Sequence, residues 1–414
     1  MRPALTLFAR FAGLSTGVAE RAPDNRIAVL DAARAFAIVG VIAVHLGLWM
    51  PALPPWLNVV SELGQYGVQL FFVISAVTVS YTLEADERRY GASLQIVARR
   101  FYIKRFVRIA PLYYAAIVVY GVLDYLAHLA HGQITLQHHA SDVMANLLFI
   151  HGWLPTSINS VVPGGWSIGV EMSFYALAPF VLYASRTARG LWMTGLLMLI
   201  CGASIAVMGA CSAGVQCHIE NNEFFYFWLP VQVPCFVFGL WLARFGMPLL
   251  TGSRRLPWRA LLALVLAGFA CLTLVYEFGA GAELAHGLAP SAAGLAAVCM
   301  LIVASHLPVR WLKAPLVASF GQQSYGVYLW SAAAVALVRA LLKTPVGTAL
   351  KHFPTLGFLF ALALVSALSY AAALVTTRWI DRPCGAWARR LLLAHGTQDA
   401  RRHPAPGAGG EPVE

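Results

Sequence analysis

The sequence predicts an all-α integral membrane protein, a bundle of about ten transmembrane helices with both termini cytoplasmic. Three observations support this fold class. Of the 414 residues, 59% are hydrophobic and only 11% are charged, whereas soluble domains carry about 25% charged residues. The apolar runs reach about 20 residues, the length of a helix that crosses the hydrocarbon core. Finally, Lys and Arg concentrate in alternate connecting segments, which is the positive-inside pattern.

Ten apolar segments are the predicted spans. In chain order they are 28–50, 66–84, 111–131, 166–185, 190–210, 223–245, 258–276, 287–306, 319–341 and 356–377. With the N-terminus inside, no Lys or Arg occurs in the outside loops 51–65, 132–165, 211–222 and 277–286, and the last outside segment contains only Lys343 and Lys351. This asymmetry predicts that both termini are cytoplasmic. It also explains the net charge of +11 without nucleic-acid binding.

The remaining segments are predicted to be tails and membrane-surface elements. Residues 1–25 lack the compact apolar core and cleavage site of a signal peptide, so they are predicted to be a cytoplasmic tail. Residues 26–390 form the predicted transmembrane domain, and 391–414, whose last part is rich in Gly, Pro and Ala, are predicted to be a disordered cytoplasmic tail. The basic amphipathic segment 86–110 is predicted to lie on anionic lipid. The apolar patch 143–153 is too short to span and is predicted to be re-entrant or interfacial.

The cysteines and the loop histidines predict no metal site. The seven cysteines show no metal-ligand spacing. Cys211 and Cys217 flank a polar loop, and whether they form a disulfide stays open. The pair His138 and His139 in loop 132–165 is interpreted as solvated, because no Cys or carboxylate set completes a metal site.

The first predicted span carries three ionisable residues, Asp31, Arg34 and His45. Arg34 and His45 are eleven residues apart, so they share one helix face at depths that differ by roughly 16 Å. A central charged residue costs about 2.5–3.5 kcal/mol in a spanning helix and usually marks a functional site. The alternative is that Arg34 extends to the interface and His45 only packs. Asp31 is predicted to cap the helix and to pair with Arg34.

Two further sets of residues are predicted to lie level with these groups. Glu171 and His45 are each about five residues, roughly 8 Å, from the outer end of a span. If the two helices are neighbours, a carboxylate bonded to the imidazole makes a general base; otherwise each residue is satisfied separately. On the cytoplasmic side, Arg105 and Arg108 lie level with Arg34, one turn apart. Two guanidinium groups on one face can bind phosphate.

Six segments carry a family resemblance. They are 30–45, 67–76, 105–114, 166–179, 321–330 and 378–383. In this order, and over residues 26–390, they resemble the acyltransferase-3 family, whose members O-acetylate sugars of lipopolysaccharide, exopolysaccharide, Nod factors and some antibiotics. The chain departs from the family pattern at four positions, where acid, Gly, His and Glu are usual: Gln69, Ala76, Ser331 and Asp381. Because no esterase-like domain follows the bundle, the stand-alone form of the family is expected.

The resemblance implies a membrane O-acyltransferase of the bacterial inner membrane. Its expected donor is acetyl-CoA or another acyl-CoA, its expected acceptor is a carbohydrate hydroxyl, and no permanently bound cofactor is expected. Arg34, Arg105 and Arg108 would hold the CoA phosphates. His45, oriented by Glu171, would be the base or a transient acyl carrier, and both roles stay open. The other candidates, for acceptor binding or support, are Trp166, Ser167, Ser75, Tyr175, Ser324 and Tyr325.

The residues alone leave two other function classes open. A transporter or flippase for a lipid-linked glycan or an anionic metabolite would also need embedded charges and a basic cytosolic entrance. It would not need Arg34 and His45 on one face with a carboxylate at matching depth. A non-catalytic membrane interaction protein would leave those charges unexplained.

Overall fold

The computed structural model describes most of the chain, and all regular secondary structure in the described ranges is helical. These ranges are 27–50, 53–90, 93–130, 138–184, 190, 194–198, 200–202, 223–279, 283–307, 312, 314–343 and 353–402. The helices are α1 Ala28–Gly47, α2 Pro55–Leu63, α3 Gly67–Tyr90, α4 Leu94–Ala130, α5 Ala140–Leu147, α6 Trp166–Ala184, α7 Glu223–Phe227, α8 Leu229–Phe245, α9 Met247–Leu250, α10 Trp258–Gly279, α11 Glu283–His306, α12 Pro315–Gln322, α13 Ser324–Leu341, α14 Pro354–Thr376 and α15 Arg382–Arg402. A π-helical turn, Thr377–Asp381, joins the last two helices.

Within the described ranges, seven helical segments are long and apolar enough to cross a membrane. They are Ala28–Gly47, Pro55–Tyr90, Leu94–Leu129, Trp166–Ala184, Leu288–His306, Ser324–Leu341 and Pro354–Ala394. The shorter helices Leu229–Phe245 and Trp258–Leu274 are also apolar. The chain is therefore an all-helical, multi-pass membrane protein, as predicted. The predicted span 190–210 lies largely outside the described residues, and the number of ten spans with cytoplasmic termini stays a prediction.

Three other sequence predictions concern residues that the structure does not describe. The N-terminal tail 1–25 lies outside the described ranges, and so does the end of the C-terminal tail, 403–414. The possible disulfide between Cys211 and Cys217 also falls outside them. These interpretations, and the division of the chain at residue 26, stay predictions.

The predicted onset of disorder at residue 391 is wrong, because α15 continues to Arg402. Ala388 and Leu392 of this helix are buried. Arg100 of α4 donates a hydrogen bond from Nη1 to the carbonyl oxygen of Leu392, 3.4 Å away. The apolar side of α15 packs against the start of α4, which keeps the chain helical beyond the predicted boundary.

The basic segment 86–110 is not a separate helix on the lipid surface. Most of it forms the first turns of α4, a continuous helix of 37 residues. Arg100 and Arg105 are buried, and the guanidinium of Arg100 lies 3.7 Å from the centre of the Tyr90 ring. Lys104 forms a 2.6 Å ion pair with Asp86 of α3. Arg100 and Lys104 therefore contact other parts of the protein and Arg105 is buried, which is why the segment continues the span.

The predicted outside loop 51–65 is wrong as a loop, because it contains the helix α2. Proline occupies the first position of α2 at Pro55, where a missing N–H costs no helical hydrogen bond. A short 3₁₀ turn, Gly64–Tyr66, then leads directly into α3. The segment therefore fixes the position of α3 beside α1.

Helix α1 lies at the centre of the bundle and contacts α3, α12, α13 and α14. Ile38 and Ile42 are completely buried, and the small residues Ala33 and Ala37 on this helix are also buried. Small side chains allow neighbouring helices to approach closely in a membrane, where packing rather than water exclusion drives association. The sequence of α1 is therefore suited to a central position, in which its polar residues face other helices.

Candidate active site

A cavity lies between helices α1, α3, α4, α6 and α13. Its lining residues are Arg34, Val68, Phe71, Phe72, Ser75, Thr78, Arg105, Arg108, Ile109, Ser167, Ile168, Glu171, Tyr175, Ser324, Tyr325 and Tyr328. Nine of the twelve residues singled out in the sequence lie on this cavity. The three that do not are Asp31, His45 and Trp166.

Arg34 is held in place by two neighbours. Its Nη1 donates to Asp31 Oδ1 at 2.9 Å, and its Nη2 donates to Thr78 Oγ1 at 2.7 Å. Asp31 Oδ2 also accepts a 3.3 Å hydrogen bond from Gln322 Nε2 of α12. The predicted ion pair is confirmed, but the predicted capping role of Asp31 is wrong. The N-cap is Ile27, so Asp31 lies inside the first turn and faces Arg34 instead of the free backbone N–H groups.

Arg105 and Arg108 enter the cavity from α4. Arg105 is buried, donates from Nη2 to Thr82 Oγ1 at 3.1 Å, and places its guanidinium carbon 5.2 Å from the centre of the Tyr175 ring. Arg108 is exposed at the cavity and makes no hydrogen bond or ion pair with any residue that the structure describes. Three guanidinium groups therefore line the cavity, and the one lining carboxylate is Glu171. This excess of positive charge favours an anionic ligand.

Glu171 lies among hydroxyl groups of the cavity. Ser75 Oγ donates to its Oε1 at 2.6 Å, and the hydroxyl of Tyr175 donates to the same oxygen. Ser75 and Tyr175 are themselves 2.8 Å apart. These bonds fix the carboxylate and leave its Oε2 without a hydrogen bond from the described residues, so Oε2 remains available to a ligand.

The predicted hydrogen bond between His45 and Glu171 is wrong. The reason is helix adjacency: α6, which carries Glu171, packs against α3, α4 and α8 instead of α1. His45 and Glu171 lie at similar distances from their helix ends, but equal depth does not make two helices neighbours. Glu171 belongs instead to the cavity that contains Arg34 and Arg105.

His45 is exposed near the end of α1, and its Nδ1 lies 2.6 Å from the carbonyl oxygen of Val41. A carbonyl oxygen can only accept, so Nδ1 carries the hydrogen. In the neutral ring Nε2 then holds the lone pair. An accessible imidazole with a fixed tautomer suits a proton acceptor, although no carboxylate orients it.

Trp166 does not present a free ring face for a sugar. Its indole stacks on Phe227 with centroids 4.4 Å apart, and it meets Phe72 edge-on at 6.1 Å. The residue is buried, which also argues against a membrane-interface anchor. Its role is to pack α6 against α3 and α7.

Comparison with known proteins identifies the family. The profile of the acyltransferase-3 family, described as an acyltransferase domain, matches residues 27–377. The chain belongs to the acyltransferase-3 family. Membership in a family of acyltransferases favours the enzyme over the transporter and interaction-protein alternatives. No solved structure matches the chain significantly.

Curated relatives of this acyltransferase-3 protein include three with informative names. The exopolysaccharide production protein ExoZ of Rhizobium meliloti is 29% identical over 67% of this chain and 78% of its own length. Acyltransferase MdmB of Streptomyces mycarofaciens is 24% identical over 87% and 92%, respectively. Peptidoglycan O-acetyltransferase OatA of Listeria monocytogenes is 27% identical over 37% of this chain, but the match spans only 24% of that relative.

Sequence reasoning missed a polar stripe on α3 of this acyltransferase-3 protein. Ser75, Thr78 and Thr82 are spaced by three and four residues and bind Glu171, Arg34 and Arg105, in that order. The spacing was readable, because residues three, four and seven apart share one helix face. Tyr328 was quoted only within a motif, yet it lines the cavity.

Of the histidines of loop 132–165, His139 is exposed, as predicted, whereas His138 and His151 have partners in the protein. His138 Nε2 lies 2.7 Å from Asp124 Oδ2 of α4. His151 is completely buried, stacks on Tyr113, and donates from Nε2 to the carbonyl oxygen of Gly165 at 2.9 Å. Burial lowers the pKa of His151. No cluster of three potential metal ligands occurs among the described residues.

The patch 143–153 forms the end of α5 and a 3₁₀ turn, so it is a folded part of the loop.

Proposed function

We propose that this protein transfers an acyl group, taken to be acetyl, from cytosolic acyl-CoA to a hydroxyl of an envelope or exported carbohydrate. The bacterial inner membrane is the proposed location. The observation that carries the proposal is the convergence of Arg34, Arg105, Arg108 and Glu171 on one cavity. Membership in the family supports acyl transfer. The relatives named for exopolysaccharide production and for peptidoglycan O-acetylation support a carbohydrate acceptor.

The three arginines are the proposed site for the CoA phosphates. Arg34 and Arg105 are already fixed by Asp31, Thr78 and Thr82, so little side-chain freedom is lost when an anion binds. Arg108 has no such partner and its guanidinium is available for a phosphate. Guanidinium–phosphate bonds are charge-assisted and often bidentate, which makes them stronger than neutral hydrogen bonds.

Glu171 and His45 have separate proposed roles. In the cavity, the free Oε2 of Glu171 accepts a hydrogen bond from an amide N–H of the pantetheine arm. At the outer end of α1, His45 Nε2 takes the proton of the acceptor hydroxyl, or carries the acyl group transiently. In the first case the hydroxyl oxygen attacks the thioester carbon, the carbon–sulfur bond breaks, and the thiolate leaves and is protonated to CoA.

Binding of CoA by the Arg108→Ala variant tests the proposed donor site. Removal of a charge-assisted bond costs about 1.5–3 kcal/mol, so the Kd for CoA is expected to rise about 10- to 100-fold. The matched control is Arg244→Ala, which removes an exposed arginine of α8 that does not line the cavity. Titration calorimetry in detergent or nanodiscs measures both. Equal affinities for the two variants would remove the donor site from the proposal.

A further inference from the structure

Two contacts give the relative heights of α1 and α13. At one end Gly321, just before α13, packs on the backbone of Asp31 so tightly that a Cβ would lie 1.8 Å from the carbonyl oxygen. At the other end the guanidinium of Arg339 lies 3.4 Å from the centre of the Trp49 ring. Both contacts join residues 290 positions apart. The two helices therefore run side by side in the same direction and in constant register.

This register places Tyr328 between the two ionisable residues of α1. Tyr328 is level with residue 38, so it lies about 6 Å beyond Arg34 and about 10 Å before His45 along the helix axis. Tyr328 lines the cavity that contains Arg34, whereas His45 does not. The layer of side chains at the height of Tyr328 thus lies between Arg34 and the exposed imidazole of His45 along the helix axis.

The backbone of the loop closes that layer. The hydroxyl of Tyr328 donates to the carbonyl oxygen of Gly164 at 2.8 Å. Ser167 Oγ lies 3.0 Å from both Tyr328 Oη and the Gly164 carbonyl oxygen, and its single hydrogen can be donated to either one. Gly164 has φ +77°, and a Cβ there would lie 2.5 Å from the tyrosine hydroxyl. Only glycine allows the backbone to approach the hydroxyl this closely in that conformation.

The segment 151–165, here called the strap, is held in shape by hydrogen bonds between its own residues. Its first and last residues meet, since His151 donates to the carbonyl oxygen of Gly165. Asn159 accepts a hydrogen bond from the backbone N–H of Gly164 at 2.9 Å. The strap is thus a shaped loop that is held independently. Its bond to Tyr328 joins it to the wall of the cavity.

We propose that the bond between Tyr328 and the Gly164 carbonyl closes the outer end of the cavity and opens when a carbohydrate acceptor engages the strap. This inference rests on the proposed function. While the closure holds, water is kept from the thioester, whose hydrolysis would release acetate, CoA and a proton. A carbohydrate hydroxyl can replace the tyrosine hydroxyl as the donor to Gly164, so acceptor binding itself frees the passage toward His45. Coupling closure to substrate binding is a common way to prevent hydrolysis of a reactive donor.

The Tyr328→Phe variant tests the closure, because it keeps the ring and removes only the hydroxyl. Acetate release from acetyl-CoA without acceptor is expected to rise about fivefold relative to acetyl transfer with acceptor, the effect of one lost hydrogen bond. The matched control is Tyr120→Phe, which removes a buried tyrosine bond to the carbonyl oxygen of Leu329 at a residue that does not line the cavity.

The ratio of hydrolysis to transfer decides between closure and simple packing, because a packing defect lowers both rates together. An unchanged ratio in Tyr328→Phe, compared with Tyr120→Phe, would overturn the closure while the proposed function stands. If the wild-type protein neither transfers nor hydrolyses acetyl-CoA, the proposed function fails and the closure fails with it. Should Tyr328→Phe not fold, Ser167→Ala decides: a rise of about twofold in the ratio supports the closure, and no rise contradicts it.

Discussion

The two ends of α1 present their ionisable side chains in opposite ways. At one end, the side chain of Arg34 is only 15% exposed and is bound to Asp31 and Thr78. At the other end, His45 is exposed, and its hydrogen bond goes to Val41 of its own helix. A cation fixed by its own helix and by α3 suits the binding of a rigidly placed anion, whereas an accessible imidazole suits proton exchange. The comparison teaches that one helix face can serve two separate chemical tasks.

The largest expected effect is the loss of acetyl transfer when His45, at the exposed end of α1, is replaced. His45→Ala should lower acetyl transfer about 10²- to 10⁴-fold, the usual contribution of a general base. Acetyl-CoA binding should be unchanged, because His45 does not line the arginine cavity. The measurement is transfer of labelled acetyl groups to cell-surface glycan at matched expression. His306→Ala serves as control, since that histidine of α11 does not line the cavity and bonds to Leu256, Ser305 and Ile302. Wild-type transfer by His45→Ala would contradict the catalytic assignment.

The next largest effect is the loss of CoA affinity when Arg34, at the buried end of α1, is replaced. Arg34→Lys keeps the charge, but an ammonium cannot reproduce the planar fork that binds both Asp31 and Thr78. Loss of one charge-assisted bond should weaken CoA binding about 10- to 100-fold. Equilibrium binding of labelled CoA measures this change. A lysine variant with wild-type affinity would show that charge alone, without fixed geometry, accounts for the site.

A smaller effect tests whether the fixed geometry of Arg34 matters. Thr78→Val has nearly the same shape but removes the hydroxyl that accepts from Arg34. The expected loss of CoA affinity is about fivefold, equivalent to one hydrogen bond. Thr273→Val is the control, because the Thr273 hydroxyl on α10 bonds to the carbonyl of Phe269 away from the cavity. Equal affinities for the two valine variants would mean that Thr78 does not position the arginine.

The smallest effect concerns the strap and depends on pH. Burial lowers the pKa of His151 below its unfolded value of about 6.5. Below that pH the unfolded chain binds more protons than the folded one, so stability should fall as the pH drops from about 6.5 toward the folded pKa. Thermal unfolding measured from pH 7.5 to 5 checks this. His151→Gln should show a shallower decline, and an equal decline would assign the effect to other groups.

Most of the polar residues that line the cavity could be predicted from the sequence. Polar side chains within a membrane span carry a high free-energy cost, so they stand out in an apolar segment. Arg34, Arg105 and Arg108 could be grouped from topology alone. Glu171 could not be placed, because the distance from a helix end gives depth but not which helices are neighbours. Trp166 could not be recognised as a packing residue, because Phe227, on which its ring stacks, is distant in the sequence. The role of Tyr328 depends on its hydrogen bond to the backbone carbonyl of Gly164. Every residue has such a carbonyl, so the sequence does not show which one the tyrosine binds.

The central claim is that Arg34 binds the donor while His45 takes part in catalysis. It is tested most directly by measuring CoA affinity and acetyl transfer in the same preparations of Arg34→Ala and His45→Ala. The account predicts that Arg34→Ala loses about 10- to 100-fold in CoA affinity. His45→Ala should bind CoA like the wild type but transfer acetyl groups about 10²- to 10⁴-fold more slowly. If His45→Ala loses CoA affinity to the same extent as Arg34→Ala, the two ends act as a single binding site and the account is contradicted.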